Sequence, residues 1–111
     1  MIEQTILDYL KEKLPVPVDM EETSDVPSAY VLIEKTGSGG DWYIKEATFA
    51  IQSYGESLHK AAELNEKVKE AMKQIIELDG VTKCSLNSDY NYTDNSRKKY
   101  RYQAVFDITH Y

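Results

Sequence analysis

The chain is poor in the residues that carry chemistry. Its 111 residues include one cysteine, two histidines, one tryptophan and three prolines. The lone Cys84 cannot close an internal disulfide, which suits a reducing compartment. It cannot complete a zinc site with His59 or His110 either, because neither histidine stands at a ligand spacing. Cys84 falls mid-strand among apolar neighbours and reads as a buried structural thiol. No serine occupies a nucleophile-elbow pattern. No set of titratable residues converges as an enzyme site requires, so the expectation is a non-enzyme without metal or cofactor. No apolar run approaches the roughly 20 residues that span a bilayer. The start, Met1-Ile2-Glu3-Gln4, has neither a basic leader nor an apolar signal stretch, so synthesis in the cytosol and no membrane partner are expected. Cations are also scarce: 13 Lys and Arg face 19 Asp and Glu, a net charge of −6. General nucleic-acid binding draws its affinity from phosphate neutralisation, and this balance disfavours it.

What is present is the composition of one globular domain spanning residues 1–111. Hydrophobic residues make up 41% and charged residues 29%, enough for a core without disulfides. Nine of the aromatics are tyrosines. Tyrosine joins an apolar ring to a polar tip, which suits half-buried or partner-facing surfaces, and it also favours strands. No internal repeat or interdomain linker is visible.

Hydrophobic periodicity places the elements. Ile2, Ile6, Leu7, Leu10 and Leu14 recur at helical spacing, and Pro15 and Pro17 stop that helix. Residues 16–27 read as extended and acidic, with a short edge strand over 16–21. Residues 30–35 form a continuous β-branched strand. Residues 36–41, Thr-Gly-Ser-Gly-Gly-Asp, read as a flexible loop, and residues 42–54 as the second strand of an antiparallel hairpin. In that strand Ala47, Phe49 and Ile51 point one way. Residues 57–79 are expected as a helix whose stripe comprises Leu58, Ala61, Ala62, Val68, Met72 and Ile75, with Gly80 as its left-handed cap. A second hairpin follows, residues 81–93 and 100–111, around an Asp94-Asn95-Ser96-Arg97-Lys98 turn. Its expected register pairs Cys84 with Ile108, Leu86 with Phe106, Tyr90 with Tyr102 and Tyr92 with Tyr100. The predicted fold is therefore α+β: a two-layer sandwich with a mainly antiparallel sheet of four to five strands, and two helices on one face.

Two places draw functional attention. Gly37, Gly39 and Gly40 invite a phosphate-loop reading, but such a loop needs a helix behind it and here a strand follows. A hairpin tip including Asp41 and Trp42 that orders against a partner is the functional reading. Arg97, Lys98, Lys99 and Arg101 form the one basic cluster, interleaved with Tyr100 and Tyr102. Basic and aromatic residues on strands can hold single-stranded nucleic acid, although Asp89 and Asp94 on the same hairpin offset the charge. A solvated hairpin end is the plain reading, and an electrostatic contact to the acidic 21–25 segment of a neighbouring copy is the third, which suits a head-to-tail ring.

The element order and texture resemble the tail-completion proteins of long-tailed bacteriophages and prophages, the tail-terminator or head–tail joining family. The match runs through the helix closed by Leu14-Pro15-Val16-Pro17, the Pro27-Ser28-Ala29-Tyr30-Val31 lead into a strand, and Ala50-Ile51-Gln52-Ser53-Tyr54. It continues through Ala61-Ala62-Glu63-Leu64-Asn65-Glu66-Lys67-Val68 and the last strand, Tyr102-Gln103-Ala104-Val105-Phe106-Asp107-Ile108. The resemblance implies a virion protein that forms a homo-oligomeric ring, commonly of six copies, on the finished tail tube. Its partners would be the tail-tube protein and the head connector. Subunit or partner contacts are then expected at Gly37, Gly39, Gly40, Asp41 and Trp42, and at Arg97, Lys98, Lys99, Tyr100 and Arg101. Another head–tail connector, a minor capsid component, or a small nucleic-acid-binding α+β domain are the alternatives.

Overall fold

A computed structural model describes residues 1–22 and 27–111. The first helix, α1, covers Ile2–Lys13 and ends where Leu14 turns extended ahead of Pro15. It buries Ile6, Leu7, Tyr9 and Leu10. The extended segment behind it contributes a two-residue strand, β1 (Val18–Asp19), shorter than the expected edge strand. It lies parallel to β2 (Tyr30–Gly40), Val18 beside Val31, and the Val31 N–H donates to the Pro17 carbonyl at 2.9 Å. Strand β3 (Lys45–Gly55), helix α2 (Leu58–Lys73), a 3-10 turn at Ile75–Glu77, β4 (Val81–Asn91) and β5 (Tyr100–His110) complete the chain. The sheet order is β1-β2-β3-β5-β4, antiparallel at every pairing except β1 with β2. The architecture is the α+β sandwich expected from the sequence.

The core lies between the sheet and the helices. Val31 and Ile33 of β2, Ala47, Phe49 and Ile51 of β3, and Ala104, Phe106 and Ile108 of β5 face Ile6 and Leu10 of α1 and Ala61, Val68 and Met72 of α2. Each fully buried Val, Leu, Ile, Phe or Met contributes about 1.5–3 kcal/mol by removal from water. Gly55 allows α2 to start directly over the end of β3, since a Cβ there would stand 2.6 Å from the Ala61 nitrogen. Ser57 caps α2, its hydroxyl accepting from the Lys60 N–H at 3.2 Å.

Several expectations are corrected. Gly37, Gly39 and Gly40 are not in a loop: they extend β2 and pair with Thr48, Glu46 and Lys45 across an irregularity after Lys35. Ladder hydrogen bonds outweigh the weak strand preference of glycine. Trp42 is in the turn and not in the strand. Helix α2 ends at Lys73, six residues before Asp79, because the chain tightens into the 3-10 turn that seats Ile75 in the core. Gly80 consequently does not cap the helix and lacks a left-handed φ; its carbonyl instead accepts from the Tyr111 N–H at 3.0 Å.

The register of the second hairpin is right only at one end. Cys84 pairs with Ile108 and Leu86 with Phe106, but a bulge between Leu86 and Ser88 shifts the rest by one residue. Tyr90 thus pairs with Gln103 rather than Tyr102, and a one-residue slip sends each following side chain to the other face. Asp89 turns toward α2, where it accepts from Asn65 at 2.7 Å and Lys69 at 2.6 Å. Asn65, nearly sealed from solvent, replaces an apolar residue in the α2 stripe while Leu58 stays exposed. Asn65 is the one buried member of this trio, and loss of Asp89 would leave its buried amide donor unpaired.

Candidate contact surfaces at the two hairpin ends

The turn between β2 and β3 is built by one side chain. Asp41 Oδ1 accepts from the backbone N–H of Tyr43 at 2.9 Å and of Ile44 at 2.8 Å, and the Asp41 N–H donates to the Ile44 carbonyl at 2.9 Å. These amides, that of Ile44 foremost, hold the Asp41 carboxyl below its ordinary pKa. Gly40 enters the turn at φ +92°, and a Cβ there would lie 2.4 Å from the Ile44 carbonyl oxygen. Glycine is therefore required at this position. With its backbone satisfied internally, the turn holds Trp42, Tyr43 and Ile44 outward at 91%, 82% and 50% exposure.

The opposite hairpin end is organised differently. Asp94 accepts from the Ser96 hydroxyl at 2.7 Å, the Ser96 N–H at 3.1 Å and the Arg97 N–H at 3.3 Å. The hydroxyl is the main reason its carboxyl stays below the ordinary range. Lys98 closes the turn at φ 52°, an uncommon conformation for a side-chain-bearing residue. Lys99 pairs with Glu22, which also accepts from the Tyr30 hydroxyl at 2.9 Å. Lys99 first and Tyr30 second depress the Glu22 carboxyl, while burial and then Glu22 push the Tyr30 hydroxyl up. Arg101 donates from Nε to the Tyr92 carbonyl at 2.6 Å and from Nη1 to the Tyr54 hydroxyl at 2.8 Å. Its guanidinium lies 4.5 Å and 5.7 Å from the centroids of the Tyr92 and Tyr54 rings, and Tyr54 stacks on Tyr30 at 4.3 Å. Arg97 stands 3.8 Å from Asp94.

These two ends are not brought together. Strand β3 begins beside the first turn at Lys45 and finishes beside Tyr100 and Arg101 at Gly55. Ten residues of strand separate them by about 33 Å. Most of the basic cluster is engaged within its own chain, and so is Glu22, the acidic residue that the sequence offers to a neighbour. Asp25 of the same segment lies outside the described residues.

The helices leave the other sheet face uncovered, and sequence reasoning overlooked it. Gln52 donates to Gln103 at 2.8 Å, and Gln103 donates to the Tyr90 hydroxyl. Thr48 and Asn87 donate to the two Asp107 oxygens at 2.8 and 2.9 Å, Asn87 contributing most to the lowered Asp107 pKa. Beside them an open groove of about 550 Å³ runs over Gly37, Gly39, Thr48, Ser85 and Thr109. Its signal in the sequence is faint: short side chains alternating along three strands. Tyr43 and Ile44 were also overlooked, although an Asp followed by three large apolar residues within a hairpin turn is a legible pattern.

The remaining candidates are dispersed. His59 pairs with Glu63 at 2.6 Å on the exposed side of α2, and His110 is buried with Nδ1 3.0 Å from the Tyr111 carbonyl oxygen. Cys84 is half-buried rather than fully buried, with its thiol pKa pushed up to about 11 by burial and then by Asp107. Among the described residues no three His, Cys, Asp or Glu side chains gather as a metal site would require, and no helix is long and apolar enough to cross a membrane. No protein-family model matches the chain, and no curated protein does.

Proposed function

We propose that this chain is a structural assembly protein that forms a ring on the end of a phage tail tube and joins it to the head connector. The observation that carries the reading is the β2–β3 turn, which spends an aspartate and a glycine on holding Trp42, Tyr43 and Ile44 in water. Adjacent exposed aromatic and aliphatic side chains at a protruding tip are the composition of a contact hot spot. Tip residues Asp41 and Trp42 thus keep their candidate role, and Tyr43 and Ile44 join them. Gly37, Gly39 and Gly40 supply the strand that carries the tip outward. Arg97, Lys98, Lys99, Tyr100 and Arg101 form a secondary candidate surface of which Lys98 and Arg97 are the accessible charges. A place in a neighbouring connector or minor capsid component rests on the same tip. Nucleic-acid binding is less well supported, because Lys99 and Arg101 already serve Glu22, Tyr54 and Tyr92.

Electron microscopy of negatively stained tails assembled with and without the protein tests the role. Tails supplied with it are expected to end uniformly and to join heads. Tails supplied with a W42S/Y43S/I44S variant are expected to behave like tails that lack it. Uniform, head-joined tails in its absence would remove the proposal.

A further inference from the structure

Gly39 has no explanation among the described residues, whereas Gly37 stands at the irregularity that follows Lys35, where a strand glycine is expected. Both sit in β2 without a left-handed φ; a Cβ on Gly39 would meet nothing within 4 Å, and one on Gly37 only the Thr48 Cβ at 4.0 Å. Glycine weakens a strand interior, and an isolated chain would hold this hairpin better with side chains at both positions. Gly40 and Gly55 differ, since backbone atoms fill the space that their Cβ atoms would need. A bare strand position away from a bulge or bend, as Gly39 is, marks a place where another group approaches the backbone closely.

The register says where that group sits. Gly37 lies opposite Thr48 and Gly39 opposite Glu46, so both missing side chains would stand on the uncovered sheet face. Their absence opens the groove of about 550 Å³, whose far wall is Lys83, Ser85, Asp107 and Thr109. Bare backbone at the glycines gives way to Glu46 and Thr48 of β3, and the rim is polar, with Asn87 first and Thr48 second holding the Asp107 carboxyl below its ordinary range. A flat ring carrying a hydrogen-bond donor on its edge matches such a site. Trp42 and Tyr43 are flat rings with an indole N–H and a phenolic O–H, and they are held in water by their own turn. Aromatic side chains laid over strand glycines are an established way of stabilising a sheet.

We infer that Trp42 and Tyr43 of one copy seat in the Gly37–Gly39 groove of a second copy, covering the bare strand with their donors toward Asp107 and Glu46. This rests on the self-assembly proposed above and identifies its contact. Tip and groove are different residue sets, so an unreciprocated contact runs head to tail and makes a ring where its rotation closes, whereas a reciprocated one stops at a two-fold pair.

Sedimentation velocity on the purified full chain, up to about 1 mM, tests it through two variants. G37V/G39V fills the groove, and W42A/Y43A removes the occupant from a fully exposed turn. Both are expected to melt no lower than the wild type and to self-associate at least about tenfold more weakly. An equimolar mixture, holding one good tip and one good groove, is expected to form pairs and nothing larger. Wild-type-like association of W42A/Y43A overturns the inference, whether or not G37V/G39V folds; so do unchanged association of a folded G37V/G39V and a mixture that stays monomeric. Head joining by a chain that is monomeric at every concentration refutes this contact and leaves the assembly role standing. Dispensability for tail joining, with association lost in both variants, refutes the role and leaves the contact.

Discussion

The two hairpin ends of this sheet use the same residue types to opposite effect. At the β4–β5 end an aspartate shapes the turn, and Lys99 and Arg101 beside it are engaged by Glu22, Tyr54 and the Tyr92 carbonyl. At the β2–β3 end an aspartate also shapes the turn, but Trp42 and Tyr43 are left almost wholly in water and Ile44 half so. The first arrangement adds to the stability of the isolated chain. The second adds little to it, since exposed rings gain nothing from burial until a partner supplies it. Charge draws the eye to the basic end in the sequence, yet the neutral apolar end holds the unspent interaction.

Substitutions at the two ends should separate these roles. The largest effect is expected for Gly40→Val, which combines a φ of +92° with a backbone oxygen 2.4 Å from the new Cβ. It should lower stability in urea unfolding by about 3 kcal/mol and misdirect the tip as well. Arg101→Ala removes two hydrogen bonds and two ring contacts, and a loss of about 2 kcal/mol with assembly preserved is expected. Lys98→Gly should raise stability by about 0.5–1 kcal/mol, because its φ of 52° suits glycine. The smallest effect is that of Glu22→Gln, well under about 1 kcal/mol, for a pair that is one-third solvent-exposed. The pH dependence has a definite sign. Glu22 is depressed from 4.5 in the folded chain, so its contribution is present above pH 4.5 and disappears as pH falls through the folded value. Acid titration of stability should therefore show a smaller loss in E22Q than in the wild type. An E22Q chain that loses assembly at neutral pH would move the contact surface back to the basic end.

The fold was legible because its core signals are long and redundant. Ile6 and Leu10 on α1, Phe49 and Ile51 on β3, and Val68 and Met72 on α2 each recur at the period of their element, and tertiary packing uses those faces. The second-hairpin register was half legible. Asn87 and Ser88 are polar either way round, so nothing local distinguishes a regular ladder from the bulge that redirects Asp89 and Tyr90. Glycine-rich residues 37–40 looked like a loop because propensity is local, whereas their pairing with β3 is a cross-strand effect. The candidate surfaces were the least legible part. The partner of Lys99 lies 77 residues away, which no spacing rule anticipates, and its engagement turns an apparent binding cluster into an internal brace. Conversely, the tip's three apolar residues read as strand until the Asp41 turn places them outside it.

Because the chain has a single tryptophan, fluorescence excited at the red edge, where its nine tyrosines do not absorb, reports the tip alone. Emission and iodide quenching of Trp42 in the dilute chain and in the assembled state test the central claim most directly. The expected result is a red-shifted, freely quenched tryptophan when dilute, which shifts to the blue and becomes protected on assembly. A Trp42 that stays red-shifted and equally quenchable in the assembled state would contradict the proposal that this tip is where the chains meet.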